Sequence, residues 1–235
     1  SIWDDHDFGT NDCSGGPEVE APSWKRPVYE IFRDNWANPG YGGGDQQPGI
    51  WWDTYINDVH FICIDGRFYR TDPKTTKGEL SMLGPAQKRW LLSTIKKSKG
   101  TFKVLISPVP WVFKAKGDSR DTWNGFQHER KEIFAFLTKN KIKGVVLMSA
   151  DRHRSDLWKI ERPGDYALYE FNSSRLTNQH VHKTMEAAVF SYNAKQSFGT
   201  VDFDTTAADP TATYRIHTID GEQVFQHTVK RSELN

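Results

Sequence analysis

Asp4, Asp5, His6 and Asp7 stand in a row near the start of the chain, in "SIWDDHDFGTND", and Asn11 and Asp12 follow within five residues. Far downstream, Asp151 and His153 flank Arg152 in "LMSADRHRSD". Carboxylates and imidazoles are the side chains that hold metal ions and move protons. Asp4, Asp5 and Asp7 cannot all stay ionised in one partly buried place without a cation or a raised pKa. Asp and Asn also favour turns, so a capping cluster is the plainer alternative. Asp151 and His153 are two apart, and on an extended segment such side chains point the same way and converge. The plainer alternative there is a buried Asp–His hydrogen bond, or pairing with Arg152 and Arg154. Taken together the two clusters favour a metal centre. Oxygen ligands suit Ca²⁺, Mg²⁺ or Mn²⁺, and the histidine admits iron or zinc at one position.

The other histidines read more blandly. His60, His128, His217 and His227 fall in predicted strands or at a helix start, where structural or exposed roles are usual. His180 and His182 in "HVH" have ligand-pair spacing, but a motif without acidic context is weak.

The elements that must position these groups follow from periodicity. "KRPVYEIFRDNW" has helical spacing at Val28, Ile31, Phe32 and Trp36. "IWWDTYINDVHFICIDGR" alternates and then becomes continuously apolar, which predicts a hairpin with a buried second strand over 59–65. Pro85 suits the first turn of a helix whose last turn carries lysines before Gly100. Its apolar face would hold Trp90, Leu91 and Ile95. "FKVLISPVP" is a short buried strand stopped by prolines, and a second helix turns Ile133, Phe134 and Leu137 inward. "GVVLMSADRH" is an apolar strand that ends in the Asp151 cluster. Five alternating segments follow as strands, with a turn at Asp220 and Gly221. Strands and helices alternate and then strands run on, so the expected architecture is a layered α/β fold forming one domain over 1–235. "SIWDDHD" is expected to be the tail of a further strand. The polar ends after Ile106, after Ser149 and around Asp5 would then face one cleft, where ligands gather in open α/β sheets.

Composition narrows the function. The 235 residues carry a net charge of +1, with 26% charged and 37% hydrophobic residues. No overall field points to nucleic acid or an anionic membrane. No run approaches the ~18 apolar residues of a membrane span, and the polar, acidic first residues are unlike a signal peptide. Cys13 and Cys63 could pair or remain free thiols. The nine tryptophans are unusual. Trp51, Trp52, Trp111 and Trp123 would either line the mouth of the cleft or fill gaps between layers.

Six stretches, "IWDDHDFGTND", "FICIDGRFYR", "LGPAQKRWLL", "DTWNGF", "LMSADRHRSDLW" and "YEFNSSRLTN", resemble successive motifs of the PhoD-like alkaline phosphatases, a branch of the calcineurin-like metallophosphoesterases. They occur in the family's order over residues 2 to about 180. The resemblance implies a layered αββα sandwich and metal-dependent hydrolysis of small phosphate esters, monoesters or diesters. It implies two or more metal ions, Ca²⁺ and Fe³⁺ first, with Mn²⁺, Mg²⁺ or Zn²⁺ as alternatives. By that match Asp5, Asp151 and His153 would be metal ligands. His6 would contact the phosphate or protonate the leaving group, Asp7 would orient His6, and Asn11 would touch substrate. Arg67 would bind phosphate or serve the structure. The resemblance also implies export to the periplasm or cell exterior.

The family's N-terminal metal motifs and upstream β-rich domain would precede residue 1. The chain is therefore expected to be the C-terminal portion of a catalytic domain, with an N-terminal segment or second chain completing the metal site. Ala150 stands where the family usually has Gly, and Ser107 where many metallophosphatases carry a ligating His. A non-catalytic fragment or pseudoenzyme retaining the fold is the alternative reading, and metal-free glycoside hydrolysis by the carboxylates is a third.

Overall fold

The computed structural model describes residues 1–177 and 179–235; Asn178, the last residue of the motif at 169–178, lies outside the described residues. In chain order the elements are α1 (Asp5–Phe8), α2 (Lys25–Asn35), β1 (Trp52–Ile56), β2 (Val59–Cys63), α3 (Gly84–Lys97), β3 (Phe102–Ile106), α4 (Gln127–Lys139), β4 (Val145–Ser149), β5 (Ser155–Arg162), β6 (Asp165–Asn172), β7 (Phe190–Tyr192), β8 (Ser197–Asp204), β9 (Thr211–Thr218) and β10 (Gln223–Lys230).

Seven strands form a mixed sheet in the order β1-β2-β3-β4-β6-β5-β7, and β10-β9-β8 form a second, three-stranded sheet. The predicted hairpin is present, from Trp52↔Cys63 to Ile56↔Val59. At its turn Asn57 takes a left-handed φ of 51°, which Asn tolerates better than most residues. The centre of the large sheet, β2, β3, β4 and β6, is parallel. Its strands are continuously apolar because both faces are covered.

Register shows what covers each face. Phe61, Phe102 and Phe171 turn toward the small sheet, since Phe61 and Phe102 pack on Phe203 and Phe171 stacks on Tyr214. Their neighbours along the strands point the other way. There His60 meets Ser98 just after α3, and Glu170 accepts from the backbone of Trp111, whose ring stacks on Phe134 of α4. Helices α3 and α4 therefore lie on the outer face of the large sheet. Leu91, Ile95, Ile133, Phe134 and Leu137 join its core as their spacing predicts.

Two expectations fail nearer the start. Residues 1–4 are not a strand, and Asp5–Phe8 form one helical turn in which Asp4 N–H donates to Asp7 Oδ2 at 3.1 Å. In α2 the spacing of Ile31 and Trp36 misleads. They are 63% and 51% exposed; Phe32 is buried as its spacing predicts, and Lys25 and Tyr29 are buried beside it. Trp3, Phe8, Tyr29, Phe32 and Phe68 make a second, aromatic core. Lys25 is buried beside it because its ammonium donates to the Gly16 and Glu18 carbonyls and lies 4.2 Å from the Phe68 ring centre.

Asp65, at the carboxyl end of β2, joins the two cores. Its buried carboxylate accepts from Trp3 Nε1 at 2.8 Å and from the backbone N–H of Ile50, Arg67 and Phe68 at 2.9–3.0 Å. Gln87 of α3 ties the Asp65 backbone at both N–H and C=O. An Asp65→Ala variant leaves four buried donors without an acceptor. We expect urea unfolding to show at least ~3 kcal/mol lost, given ~1–3 kcal/mol per buried unsatisfied group.

Candidate active site

The carboxyl ends of β3 and β4 and the opening segment meet at one cavity of about 390 Å³, lined by Trp3, Asp4, Asp7, Ser107, Ala150 and Asp151 among others. Three polar ends thus do face one cleft, although the first arrives as a helical turn rather than a strand.

An ion network lies beside this cavity. Arg67 is wholly buried. Its Nε donates to Asp4 Oδ1 at 2.7 Å, and its Nη1 to Asp121 Oδ1 at 2.8 Å and to the Cys13 carbonyl at 3.2 Å. Its Nη2 stands 2.5 Å from Asp4. Arg70 adds a contact of 2.9 Å to Asp121. Burial alone would raise the Asp121 pKa, but Arg67 and Arg70 overcome it and hold the carboxyl well below the usual range. Lys116 Nζ stands 3.6 Å from Asp12, 3.2 Å from Asp121 and 3.4 Å from Asp151. Burial opposes its charge, but Asp151 and Asp121 more than compensate and the ammonium pKa is raised.

Asp5 is buried, and its carboxylate accepts from the backbone N–H of His6 and Asp12 at 2.9 and 2.8 Å. Oxygens of Asp5, Asp12 and Asp121 lie within 4.8 Å of one another. His6 is exposed, and among the described residues its ring has no hydrogen-bond partner. Asp7 does not orient it, because the Asp7 carboxylate caps the helical turn. Asn11 is exposed in the turn before Asp12, whose φ is 57°. Every guanidinium nitrogen of Arg67 is engaged within the fold.

Asp151 and His153 do not lie on extended backbone. Both are left-handed, with φ 58° and 47°, so the i, i+2 argument does not apply. Asp151 turns to Lys116 and to Arg152 Nη2 at 2.8 Å. His153 turns to His180 and His182, and the three rings offer ligand atoms within 4.8 Å of one another. Burial lowers the His153 pKa. Burial and the Arg152 charge push His182 down to about 4. The "HVH" pair, without context in sequence, gains it in space.

The donor set can be tested for a cation. Burial pushes the Asp4 carboxyl up to about 7; Arg67 opposes the rise, and the nearby Asp151 and Asp5 charges add to it. The oxygens of Asp5, Asp12 and Asp121, within 4.8 Å of one another, are the kind of donor set that fits a hard cation.

A family model described as PhoD-like phosphatase matches residues 45–227. The chain belongs to that family. It is also similar to alkaline phosphatase D of Bacillus subtilis (strain 168), at 26% identity over 65% of this chain and 30% of the relative. A solved structure described as "Structure of PhoD" shares the fold with a TM-score of 0.67 and 16% identity, over 97% of this chain and 54% of that one. The chain thus spans about half of the solved PhoD chain and under a third of the Bacillus protein. The family match begins at residue 45, so Asp5, His6 and Asp7 lie outside it. Of these three, Asp7 lines the shared cavity, and Asp5 lies beside Asp12 and Asp121.

In this PhoD-like chain the network residues that sequence reasoning missed are Lys116 and Asp121, whereas Asp4 belongs to the acidic run the sequence singled out. Asp121 sits in a quoted motif, "DTWNGF", but nothing in its spacing marks it as a partner for Arg67, 54 positions away. Lys116 carries no sequence signal at all. Trp111 and Trp123 are fully buried and stacked 4.4 Å apart, and Trp51 is also buried, so these tryptophans fill the core rather than the cleft. Cys13 and Cys63 are both free, and burial pushes the Cys63 thiol up to about 12. No helix is long and apolar enough to cross a membrane among the described residues.

The lowered Asp121 pKa sets a pH dependence. A depressed carboxyl stabilises the fold above its unfolded pKa, and that stability is lost as pH falls toward the folded pKa. Relative to wild type, Asp121→Asn is expected to lower Tm by a constant amount from pH 8 to pH 5. Below about pH 4 the gap should narrow. Paired thermal melts across that range check the sign.

Proposed function

We propose that this chain carries a metal-dependent phosphoric ester hydrolase site acting on small phosphate monoesters or diesters. The observation that carries the reading is the group of Asp5, Asp12 and Asp121 oxygens within 4.8 Å of one another in a PhoD-like chain. Asp5, Asp151 and His153 are the proposed ligands, with Ca²⁺ and iron as the first candidates and Mn²⁺, Mg²⁺ or Zn²⁺ as substitutes. Bound cations would supply polarisation of the phosphoryl group and a water of lowered pKa. The exposed His6 imidazole is free to protonate the departing alkoxide as general acid. Asn11, on the next turn, would hold a phosphoryl oxygen or the ester group. Arg67 holds Asp4 and Asp121 in place from beneath.

The chain is read as one domain, 1–235, that supplies an outer helical layer and both sheets of an αββα sandwich. An N-terminal segment or a second chain would complete the ligand set. By its family the protein would act in the periplasm or outside the cell.

One observation favours a second reading, a non-catalytic remnant of the fold. Lys116 already stands as a cation among Asp12, Asp121 and Asp151, so side chains alone neutralise much of the cluster.

Assays of p-nitrophenyl phosphate and bis(p-nitrophenyl) phosphate with Ca²⁺ plus iron, or with Mn²⁺, separate the two. We expect turnover that a chelator abolishes and metal restores. His6→Ala should lower kcat by ~10²-fold or more, and Asp151→Ala should lower both metal content and turnover. Absence of turnover selects the remnant reading. Turnover that survives both substitutions removes the proposed mechanism.

A further inference from the structure

The segment between β6 and β7 folds back over the loop that follows β4. His153 N–H donates to Ser174 Oγ at 2.8 Å, Asn193 Nδ2 to the His182 carbonyl at 2.9 Å, and Met185 N–H to Ser191 Oγ at 3.1 Å. These bonds fix the backbone on both sides of His180 and His182. The left-handed backbone at Asp151 and His153 turns the loop up to meet them.

The three rings are spaced as ligands to one ion would be. Ring centres are 5.2 Å apart for His153 and His180, 4.8 Å for His153 and His182, and 4.9 Å for His180 and His182. A zinc ion ~2.0–2.1 Å from an imidazole nitrogen lies ~3.2 Å from the ring centre, so tetrahedral ligation places ring centres ~5 Å apart. We propose that His153, His180 and His182 form a three-imidazole site for a borderline transition-metal ion such as Zn²⁺.

The donor chemistry sets the selectivity. Imidazole nitrogen suits zinc, copper, iron and nickel, whereas Ca²⁺ and Mg²⁺ take oxygen. Ligation needs a lone pair on each ring. His153 Nδ1 faces the His180 carbonyl at 3.1 Å, and donating there leaves the lone pair on Nε2. His182 Nδ1 faces Arg152 Nη1 at 3.4 Å, so it presents its lone pair there. An ion at that nitrogen displaces Nη1, while Nη2 remains on Asp151 at 2.8 Å. The basic side chains around the site are already paired. Arg152 and Lys116 meet Asp151, and Arg154 meets Asp156 at 2.8 Å. Three protein ligands leave a fourth position for water or a phosphate oxygen, the pattern of open rather than closed zinc sites.

The inference shares His153 with the hydrolase reading, so its test uses metal binding rather than turnover. The metal-stripped protein is titrated with Zn²⁺ by calorimetry and with Co²⁺ by its visible ligand-field bands. Thermal melts are run with and without Zn²⁺. We expect one Zn²⁺ per chain whose binding depends on His180 and His182, and a Zn²⁺-dependent rise in Tm. Affinity should fall at least ~tenfold in His180→Ala and in His182→Ala, and remain unchanged in Asp12→Asn. His182→Gln serves if circular dichroism shows the alanine variant misfolded. The inference is overturned if wild type binds no Zn²⁺, if both histidine variants bind as wild type does, or if only Asp12→Asn weakens binding. In any of those cases, chelator-sensitive turnover with Ca²⁺ and iron would leave the hydrolase reading standing.

Discussion

The structure depends on one buried carboxylate that accepts four hydrogen bonds. Asp65 ends a core strand, and its acceptors draw in the Trp3 indole, the Ile50 backbone and the turn that carries Arg67. Without that anchor the opening segment has only aromatic packing to hold it, and packing is not directional. With it, Trp3 is fixed to the end of β2 and the next residues follow into the cleft. The constraint then passes on. The backbone N–H of Arg67 is bound by Asp65, while its guanidinium holds Asp4 on one side and Asp121 on the other. A chain of charge-assisted bonds thereby links the sheet, the opening acidic run and the loop after β3. Such bonds are shorter and stronger than neutral ones.

That chain explains how so many acids share a small volume. Arg67, Arg70 and Lys116 neutralise Asp121, which is why its carboxyl is held low. The same arginine does less for Asp4, whose burial and proximity to Asp151 and Asp5 prevail. Two aspartates on one guanidinium are therefore driven in opposite directions, and the divergence tracks the company each keeps. Asp121 has three cations near it. Asp4 has one cation and two acids. Burial and neighbouring charge, acting on two carboxylates of one ion network, are enough to push them apart in this way.

Much of this was legible in the sequence, and the reasons differ by element. β2, β3 and β4 are apolar on both faces and bounded by Gly, Pro or charge, so period and length revealed them. Pro85 and the terminal lysines bounded α3. The opening turn failed because an acidic run after an apolar pair reads equally as a strand end or a cap. α2 failed on one face because Lys25 lies inward on carbonyls and Ile31 outward, which reverses what hydropathy assumes. The site was legible only as types: Asp5, Asp151 and His153 were visible as groups able to bind metal. Their partners lie far away in sequence and depend on tertiary folding. Asp121 reaches Arg67 across 54 positions, and His182 reaches His153 only because a long connection doubles back.

The backbone itself separates scaffold from chemistry. The parallel strands are regular, and the non-glycine residues in left-handed conformation lie outside them, among them Asp12 in the opening segment, Lys114 after β3, and Asp151 and His153 after β4. Each such residue costs of order 1 kcal/mol or more and persists only where surroundings over-determine it. The surroundings are visible for two of them. Asp12 N–H is held by Asp5 Oδ2, and His153 N–H by Ser174 Oγ. In both cases the bond that fixes the strained backbone comes from the other member of a candidate ligand group or from the segment that brings one in. Strain at Asp12 aims its carboxylate at Asp5 and Lys116, and strain at His153 aims its ring at His180 and His182. A fold selected for stability alone would place glycine at these positions and lose both side chains. Asp and His enter the left-handed region more readily than most residues, so Asp12 and His153 keep the side chains that make these contacts at a moderate backbone cost.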